Sequence, residues 1–312
     1  MLGRKEKREK NKKKKWLKIT LLVIGLLVLI GGIFLFAFYK NVKDTVNNDL
    51  HESVTAIDND LTKEKMASNE PLNILLLGVD ERENDRGRSD TMIVLTLDPS
   101  NERMQMVSIP RDTRTEIIGH GTVDKINHSY AFGGSNMSVD TVENFLDVEI
   151  DYYVRVNMEG LQQLVDSVNG VTVTNNLAFT NGSYEFPIGE QELDGREALA
   201  YVRMRKNDPQ GDVGRNERQR QVIEGVISKG ASFNGVSKIN EILSVLGENV
   251  STNMDFSDMS GLVTDYRGAR KDIETYQITG DGTTIDGIWY LQVPDEEVQK
   301  THDMIDDFAN GL

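Results

Sequence analysis

Asn73-Ile74-Leu75-Leu76-Leu77-Gly78-Val79-Asp80 is the stretch whose reading decides the fold. Its apolar residues run on without the alternation of a half-exposed strand, so it reads as a strand buried on both faces. Gly78 and Asp80 end it, and a polar loop follows over residues 81–90. Thr91–Leu97 and Arg103–Ile109 read as two further strands, joined at the turn-forming Asp98-Pro99-Ser100-Asn101. They make a hairpin beside the first strand. Downstream, helices are predicted over 138–146, 159–168, 193–202 and 216–229, and near 238–249, 257–270 and 295–309. Strands are predicted over 152–156, 171–174 and 273–278, with Asn169-Gly170 as a turn and Gly133-Gly134 as a loop signal only. Mixed strands and helices predict an α/β sandwich with a mixed sheet. No internal repeat is visible, and residues 71–312 read as one domain.

Upstream, residues 19–39 carry no charge. Twenty-one residues at about 1.5 Å each span roughly 30 Å, the thickness of a hydrocarbon core. Trp16 and Tyr39 stand at its two ends as interfacial aromatics. A cleaved signal peptide would have a shorter apolar core and small residues at its end. This run leads instead into Phe38-Tyr39-Lys40, which favours an uncleaved anchor. Residues 1–18 hold ten Lys/Arg against two Glu, so the basic tail is expected in the cytoplasm and everything after the span outside the cell membrane. Residues 40–70 are polar and read as an extracellular stalk; Val46, Leu50, Val54, Ile57 and Leu61 recur at helical spacing, which suits packing on the domain core or, alternatively, on a partner.

The net charge is −15, and with +8 in the first 18 residues the remainder carries −23. A domain this acidic is a poor nucleic-acid binder. The absence of cysteine excludes disulfides, thiolate nucleophiles and Cys-ligated metals. Against this acidic background, Tyr201–Arg220 concentrates arginines at 203, 205, 215, 218 and 220, plus Lys206. The stretch reads as a helix ending near Val202, a Gly/Pro-containing loop, and a second helix starting near Gly214. Arg215 and Gln219 then share a helical face, and Arg203 and Arg205 share one side of an extended segment. Such converging guanidiniums beside a helix N-terminus suit a phosphate or diphosphate, and equally make a solvated basic face.

Asp80 and Asp90 are expected at the same end of the sheet, if their strands are antiparallel neighbours. Two carboxylates plus phosphate oxygens are a common Mg²⁺ ligand set; a turn residue and a cap are the plainer alternative. Arg111 follows the third strand at that same end. Carboxylates, arginines and a bridging metal together make a phosphoryl-transfer toolkit. His51, His120, His128 and His302 show no ligand spacing. No serine has a GxSxG context, and there is no Walker A motif.

Several of these stretches, in this order and behind one apolar span, resemble the LytR-CpsA-Psr family of Gram-positive cell-envelope proteins. They are Asn73–Asp80, Arg88-Ser-Asp-Thr-Met92, Ser108-Ile-Pro-Arg-Asp112, Lys125-Ile-Asn127 with Tyr130–Gly134, Leu193–Arg205 and Asp212–Gln219. The likeness is close over residues 71–230 and loose in the tail. It implies an α/β/α sandwich with a central mixed sheet, enclosing an apolar lipid tunnel. It implies transfer of an anionic wall glycopolymer, teichoic acid or capsule-like, from an undecaprenyl-diphosphate carrier to a peptidoglycan hydroxyl, forming a phosphodiester. By the same resemblance Asp80 and Asp90 are Mg²⁺-associated acids. Arg111, Arg203, Arg205, Arg215 and Gln219 are the diphosphate-binding set, with Lys125 assisting. Asp212 is a further acid of the site, and Asp90 or Asp212 is available as general base. A lipid-diphosphate hydrolase would use the same site with water as acceptor. A non-enzymatic envelope regulator is the other alternative, and a DNA-binding role fits poorly with −23.

Overall fold

The computed structural model describes residues 40, 43–44, 46–81, 87–205, 208–230 and 247–311. The apolar run at 19–39 and most of the helix expected near 238–249 lie outside these residues. Among the described residues no helix is long and apolar enough to cross a membrane. The Asn73–Asp80 run forms β1 (Leu72–Val79), followed by β2 (Ser89–Asp98) and β3 (Arg103–Ser108). β1 pairs antiparallel with β2, and β2 antiparallel with β3. Next come a hairpin of β4 (Arg114–Ile117) and β5 (Thr122–Lys125), helix α1 (Asn59–Ala67) having preceded the sheet and α2 (His128–Leu146) following it. β6 (Tyr152–Asn157) lies parallel to β1 on its free edge.

Helix α3 (Met158–Ser167) leads to β7 (Val171–Asn175), the small β8 (Phe179–Asn181) and β9 (Tyr184–Phe186) pair, and β10 (Gly189–Leu193), which pairs with β7. α4 (Gly195–Arg203) and α5 (Asp212–Gly230) carry the arginine stretch. β11 (Val250–Thr252) adds antiparallel to β6; α6 (Phe256–Asp265) follows, and β12 (Asp272–Gln277) runs parallel to β3. A hairpin of β13 (Asp281–Ile285) and β14 (Ile288–Gln292) precedes α7 (Asp295–Ala309). The main sheet therefore has the order β11-β6-β1-β2-β3-β12 and is mixed.

The continuous apolar run of β1 makes sense once both faces are seen to be covered. Leu72 and Ile74 join Ile93, Leu95, Met104 and Met106 on one face, under Ile223 and Ile227 of α5 and Met259 and Leu262 of α6. Leu75, Leu77 and Val79 join Met92, Val94 and Val107 on the other, under Val139, Val142 and Leu146 of α2 and Ile305 of α7. That is an α/β/α sandwich. Leu161, Val165 and Val168 of the α3 region sit in a third cluster with Ala198, Tyr201 and Val222, so these residues form ordinary core.

Boundaries differ from expectation for local reasons. α2 begins ten residues before the predicted start, and the Gly133-Gly134 loop signal is a break inside it, at Gly134 (φ 68°, ψ −153°). α4 starts at Gly195 because Asp194 and Glu197 form a capping box there. α5 starts at Asp212, and the helix expected near 257–270 splits into α6 and a 3₁₀ turn over Arg267–Lys271. The short hairpins β4–β5, β8–β9 and β13–β14 went unpredicted because their residues lack an apolar alternation. Before the sheet, Val46, Leu50, Val54 and Ile57 are buried, whereas Leu61 is 38% exposed. The compact unit accordingly runs from Val46 to Leu312.

Candidate active site

The two carboxylates reach the same end of the sheet through a flaw in its pairing. Gly78 faces Thr91 and Val79 faces Ser89, which leaves Asp90 as the extra residue of a β-bulge. A bulge re-aims its extra side chain, and here that side chain is a carboxylate. Asp80 follows β1 directly, its N–H donating to Arg88 O at 3.2 Å. Arg111, three residues past the end of β3, donates from Nη1 to Asp90 Oδ1 at 2.8 Å. Asn127 reaches the same oxygen from Nδ2 at 3.5 Å.

The arginine stretch supplies the facing wall. α4 ends at Arg203, and Met204 is extended, so Arg205 emerges on the loop. Arg203 Nη2 lies 3.9 Å from Asp80 Oδ1, and Arg205 Nε lies 3.7 Å from Asp212 Oδ1. Asp212 opens α5, and its Oδ1 is 2.8 Å from Arg215 Nη2 one turn later. Gln219, a further turn along, is also buried. Arg205 and Arg215 therefore converge on Asp212, while Arg203 is held beside Asp80 at the end of β1.

The loop that turns the chain back has its own anchors. Gly214 allows Asp208 to lie against the first turn of α5; a Cβ there would stand 2.0 Å from the Asp208 carboxylate. Arg218 holds that carboxylate at 2.7 Å and the Met204 carbonyl at 2.6 Å. Arg220 donates to Ser108 Oγ at 2.8 Å and pairs with Glu217. Two of the five arginines are thus framework, fixing the loop and α5 to the sheet.

Arg215 is nearly enclosed, its side chain 7% exposed. Its Nε and Nη2 nonetheless have no hydrogen-bond acceptor, because Asp212 is at ion-pair distance but not aligned. Burial lowers its pKa, opposed by Asp212 and reinforced by the like charge of Arg111. Arg111 is the reverse: burial would lower it, but Asp90, with Asp212 and Asp112 behind, holds it up. A buried guanidinium with unused donors is a standing cost of about 1–3 kcal/mol that an incoming anion removes.

Residues 34–306 match the LytR_cpsA_psr family. The chain belongs to that family. It is 50% identical over 288 residues to the polyisoprenyl-teichoic acid–peptidoglycan teichoic acid transferase TagU of Bacillus subtilis (strain 168), covering 91% of this chain and 93% of the relative. The crystal structure of B. subtilis TagU superposes with a TM-score of 0.64 at 45% identity, covering 76% of this chain and 96% of that one. TagT bound to LIIa-WTA superposes with a TM-score of 0.71 at 30% identity, covering 84% of this chain and all of that one (100%).

Within this LytR_cpsA_psr chain the donor set is consistent with Mg²⁺ only as a shared ligand. Among the described residues no group of three His, Cys, Asp or Glu could hold a metal alone. Asp90 already serves Arg111, and Asp80 lies beside Arg203. Mg²⁺ needs only one or two carboxylates when phosphate oxygens and water complete its shell. Asp80 and Asp90 fit that arrangement and not a preformed cage.

Lys125 sits one step outside the arginine cluster. Its Nζ is 2.7 Å from Asp112 Oδ1, and Asp112 Oδ2 is 3.7 Å from Arg111 Nε. Asp112 and Asn127 are the residues the sequence reading left without a role, although both stand in the quoted Ser108–Asp112 and Lys125–Asn127 motifs. Each acts through Arg111 or Asp90, a relation that only the folded β3–β5 corner creates.

Proposed function

We propose that the chain transfers an anionic wall glycopolymer from a polyprenyl-diphosphate carrier to a peptidoglycan hydroxyl. The observation that carries this reading is Arg215, buried, charged and holding two unused donors beside Arg111. Arg111 and Arg215 bind non-bridging diphosphate oxygens from the enclosed side. Arg203 and Arg205, 48% and 52% exposed, bind from the rim and are free to reorient as substrate enters. Gln219, on the Arg215 face of α5, and Lys125, held by Asp112, assist at either side. The acceptor hydroxyl attacks the sugar-proximal phosphorus, a new P–O bond forms, and the bond to the lipid phosphate breaks. Asp90 or Asp212 takes the hydroxyl proton. Arg111 and Arg215 stabilise the charge that grows on the leaving phosphate, a contribution typically worth orders of magnitude in rate. Mg²⁺, with Asp80 and Asp90 as its protein ligands, would supply further charge neutralisation at the diphosphate.

The same reading assigns residues 1–18 to the cytoplasm, residues 19–39 to the membrane and the catalytic unit to the outer side. A membrane-borne anionic donor is then within reach, and its lipid arm calls for an apolar cavity in the sandwich. The test is incubation of the chain with a lipid-diphosphate saccharide, a peptidoglycan oligomer and Mg²⁺. A linked phosphodiester product is expected, reduced at least a hundredfold in Arg111→Ala. No linkage, or an Arg111→Ala variant equal to the parent, overturns the proposal.

A further inference from the structure

A band of side chains leads away from the arginine cluster, and the transfer chemistry above leaves its outer end unused. Lys125, held by Asp112, stands 5.8 Å from the centroid of the Tyr290 ring. Tyr290 donates to Asp124 Oδ1 at 3.3 Å, and Asp124 Oδ2 lies 2.7 Å from His128 Nδ1. His128 meets the Phe132 ring edge-on at 6.1 Å. Phe132 in turn is stacked on His120, centroids 3.9 Å apart and planes 4° from parallel.

The fold builds this outer end deliberately. The Gly134 break separates a helical turn over 128–133 from the rest of α2, and His128 and Phe132, four apart, share its face. His120 sits at the β4–β5 turn, where its Nδ1 is 2.8 Å from Thr122 Oγ1, which fixes the ring. The strand pairing Thr115↔Asp124 and Arg114↔Lys125 carries Asp124 and Lys125 on that hairpin. The β13–β14 hairpin is tied to the same corner by Leu291 N–H donating to Asp112 O at 2.9 Å. Phe132 is nevertheless 39% exposed, and His120 is exposed beside it.

We infer that this band is the acceptor subsite, along which a peptidoglycan glycan strand lies with one sugar ring on the His120–Phe132 stack. The inference rests on the transferase reading. A flat aromatic pair open to water suits the C–H face of a pyranose, while its rim hydroxyls and carbonyls meet Asp124 and Lys125. A lipid chain would need an enclosed apolar surface, and this one alternates rings with charges. The band also ends at Asp112, against Arg111, where an acceptor hydroxyl must arrive to reach the bound phosphorus.

The test uses the full chain with saturating lipid-diphosphate saccharide and varied peptidoglycan oligomer. Phe132→Leu keeps the bulk and loses the flat ring. It is expected to raise the acceptor KM about five- to tenfold, as loss of an aromatic anchor typically does. Donor affinity and kcat at saturating acceptor stay near the parent values, and Phe132→Tyr restores the KM. His120→Ala follows Phe132→Leu. Co-sedimentation with purified peptidoglycan, without donor, reads the same surface independently and is expected to weaken in both variants. If the parent chain transfers polymer but the variants share its KM and sedimentation, the acceptor subsite is wrong and the transferase reading stands. If the parent neither transfers nor sediments, both fall. If it sediments without transferring, weaker sedimentation of Phe132→Leu retains the glycan surface alone, and unchanged sedimentation removes it.

Discussion

On the proposed reading, Arg215 is placed for binding at the expense of stability. Its guanidinium is buried with Nε and Nη2 unsatisfied, and the like charge of Arg111 lies close enough to depress its pKa. Truncation of Arg215 relieves two buried unsatisfied donors, and the Asp212 left behind is partly exposed and keeps Arg205 at 3.7 Å. Arg215→Met is therefore expected to have a melting temperature no lower than the parent, while transfer falls at least a hundredfold. A lowered melting temperature with activity retained would show Arg215 to be framework, like Arg218. Asp255 shows the opposite design. Burial pushes this α6 N-cap up, but hydrogen bonds from Ser257 and Asp258, with Lys63 nearby, bring it down to about 2. A carboxyl depressed by folding stabilises fully above its ordinary value and loses that contribution as the pH falls through the folded value. Asp255→Ala is expected to cost about 1 kcal/mol at neutral pH. The gap to the parent should close as the pH drops from 3.8 to about 2, by denaturant unfolding at each pH. At this scale the sequence was legible in residue type and poor in partnership. Arginines at 203, 205 and 215 were legible as candidate anion ligands, but nothing in their spacing separates them from Arg218 and Arg220. What separates them is Asp208 and Ser108, which the loop and β3 bring to the last two.

At the scale of elements, the break in α2 and the turn before α5 both rest on glycine. Gly134 adopts φ 68° and ψ −153°, a combination open almost only to glycine. Gly134→Ala is expected to cost about 1–3 kcal/mol. Urea unfolding should show a lower midpoint with an unchanged slope. If the acceptor band depends on the turn before the break, the same variant also raises the acceptor KM. An unshifted midpoint would mean that the two halves of α2 can join into one straight helix. The sequence signalled this site only as a Gly-Gly loop, because helix propensity before it is interrupted too soon to count. The strands of the sandwich were far easier to read, since a run such as Leu75-Leu76-Leu77 has no other stable place than between two layers. The short hairpins β4–β5 and β13–β14 escaped, and with them the corner that joins Asp112 to Lys125 and Tyr290. Their pairing is set by tertiary contacts such as Leu291 to Asp112, which leave no periodic trace in the chain.

For the molecule as a whole, the decisive boundary is at the N-terminal side of the sheet. Composition changes at Pro71, but the core does not begin there. Val46 (0% exposed), Leu50 (1%), Val54 (3%) and Ile57 (5%) are buried with the compact unit. Val54 and Ile57 pack in the cluster between the sheet and α2. Asn136 on α2 receives the Thr55 N–H at 2.8 Å, and Lys65 pairs with the buried Asp151 at 2.9 Å. Burial of four such side chains is worth roughly 1.5–3 kcal/mol each as an upper estimate, a sum comparable to a domain's entire net stability. A chain starting at Val46 is therefore expected to unfold cooperatively and to bind a short-chain lipid-diphosphate saccharide as the full chain does. A chain starting at Pro71 is expected to aggregate or to melt at least 10 °C lower, since a single kcal/mol already moves a domain of this size by about 2–4 °C. Equal melting of the two truncations, followed by calorimetry, would show that the segment before β1 is a detachable stalk after all. The stalk reading and the core reading use the same five apolar residues, and the exposure of Leu61 against the burial of the other four is what the fold adds.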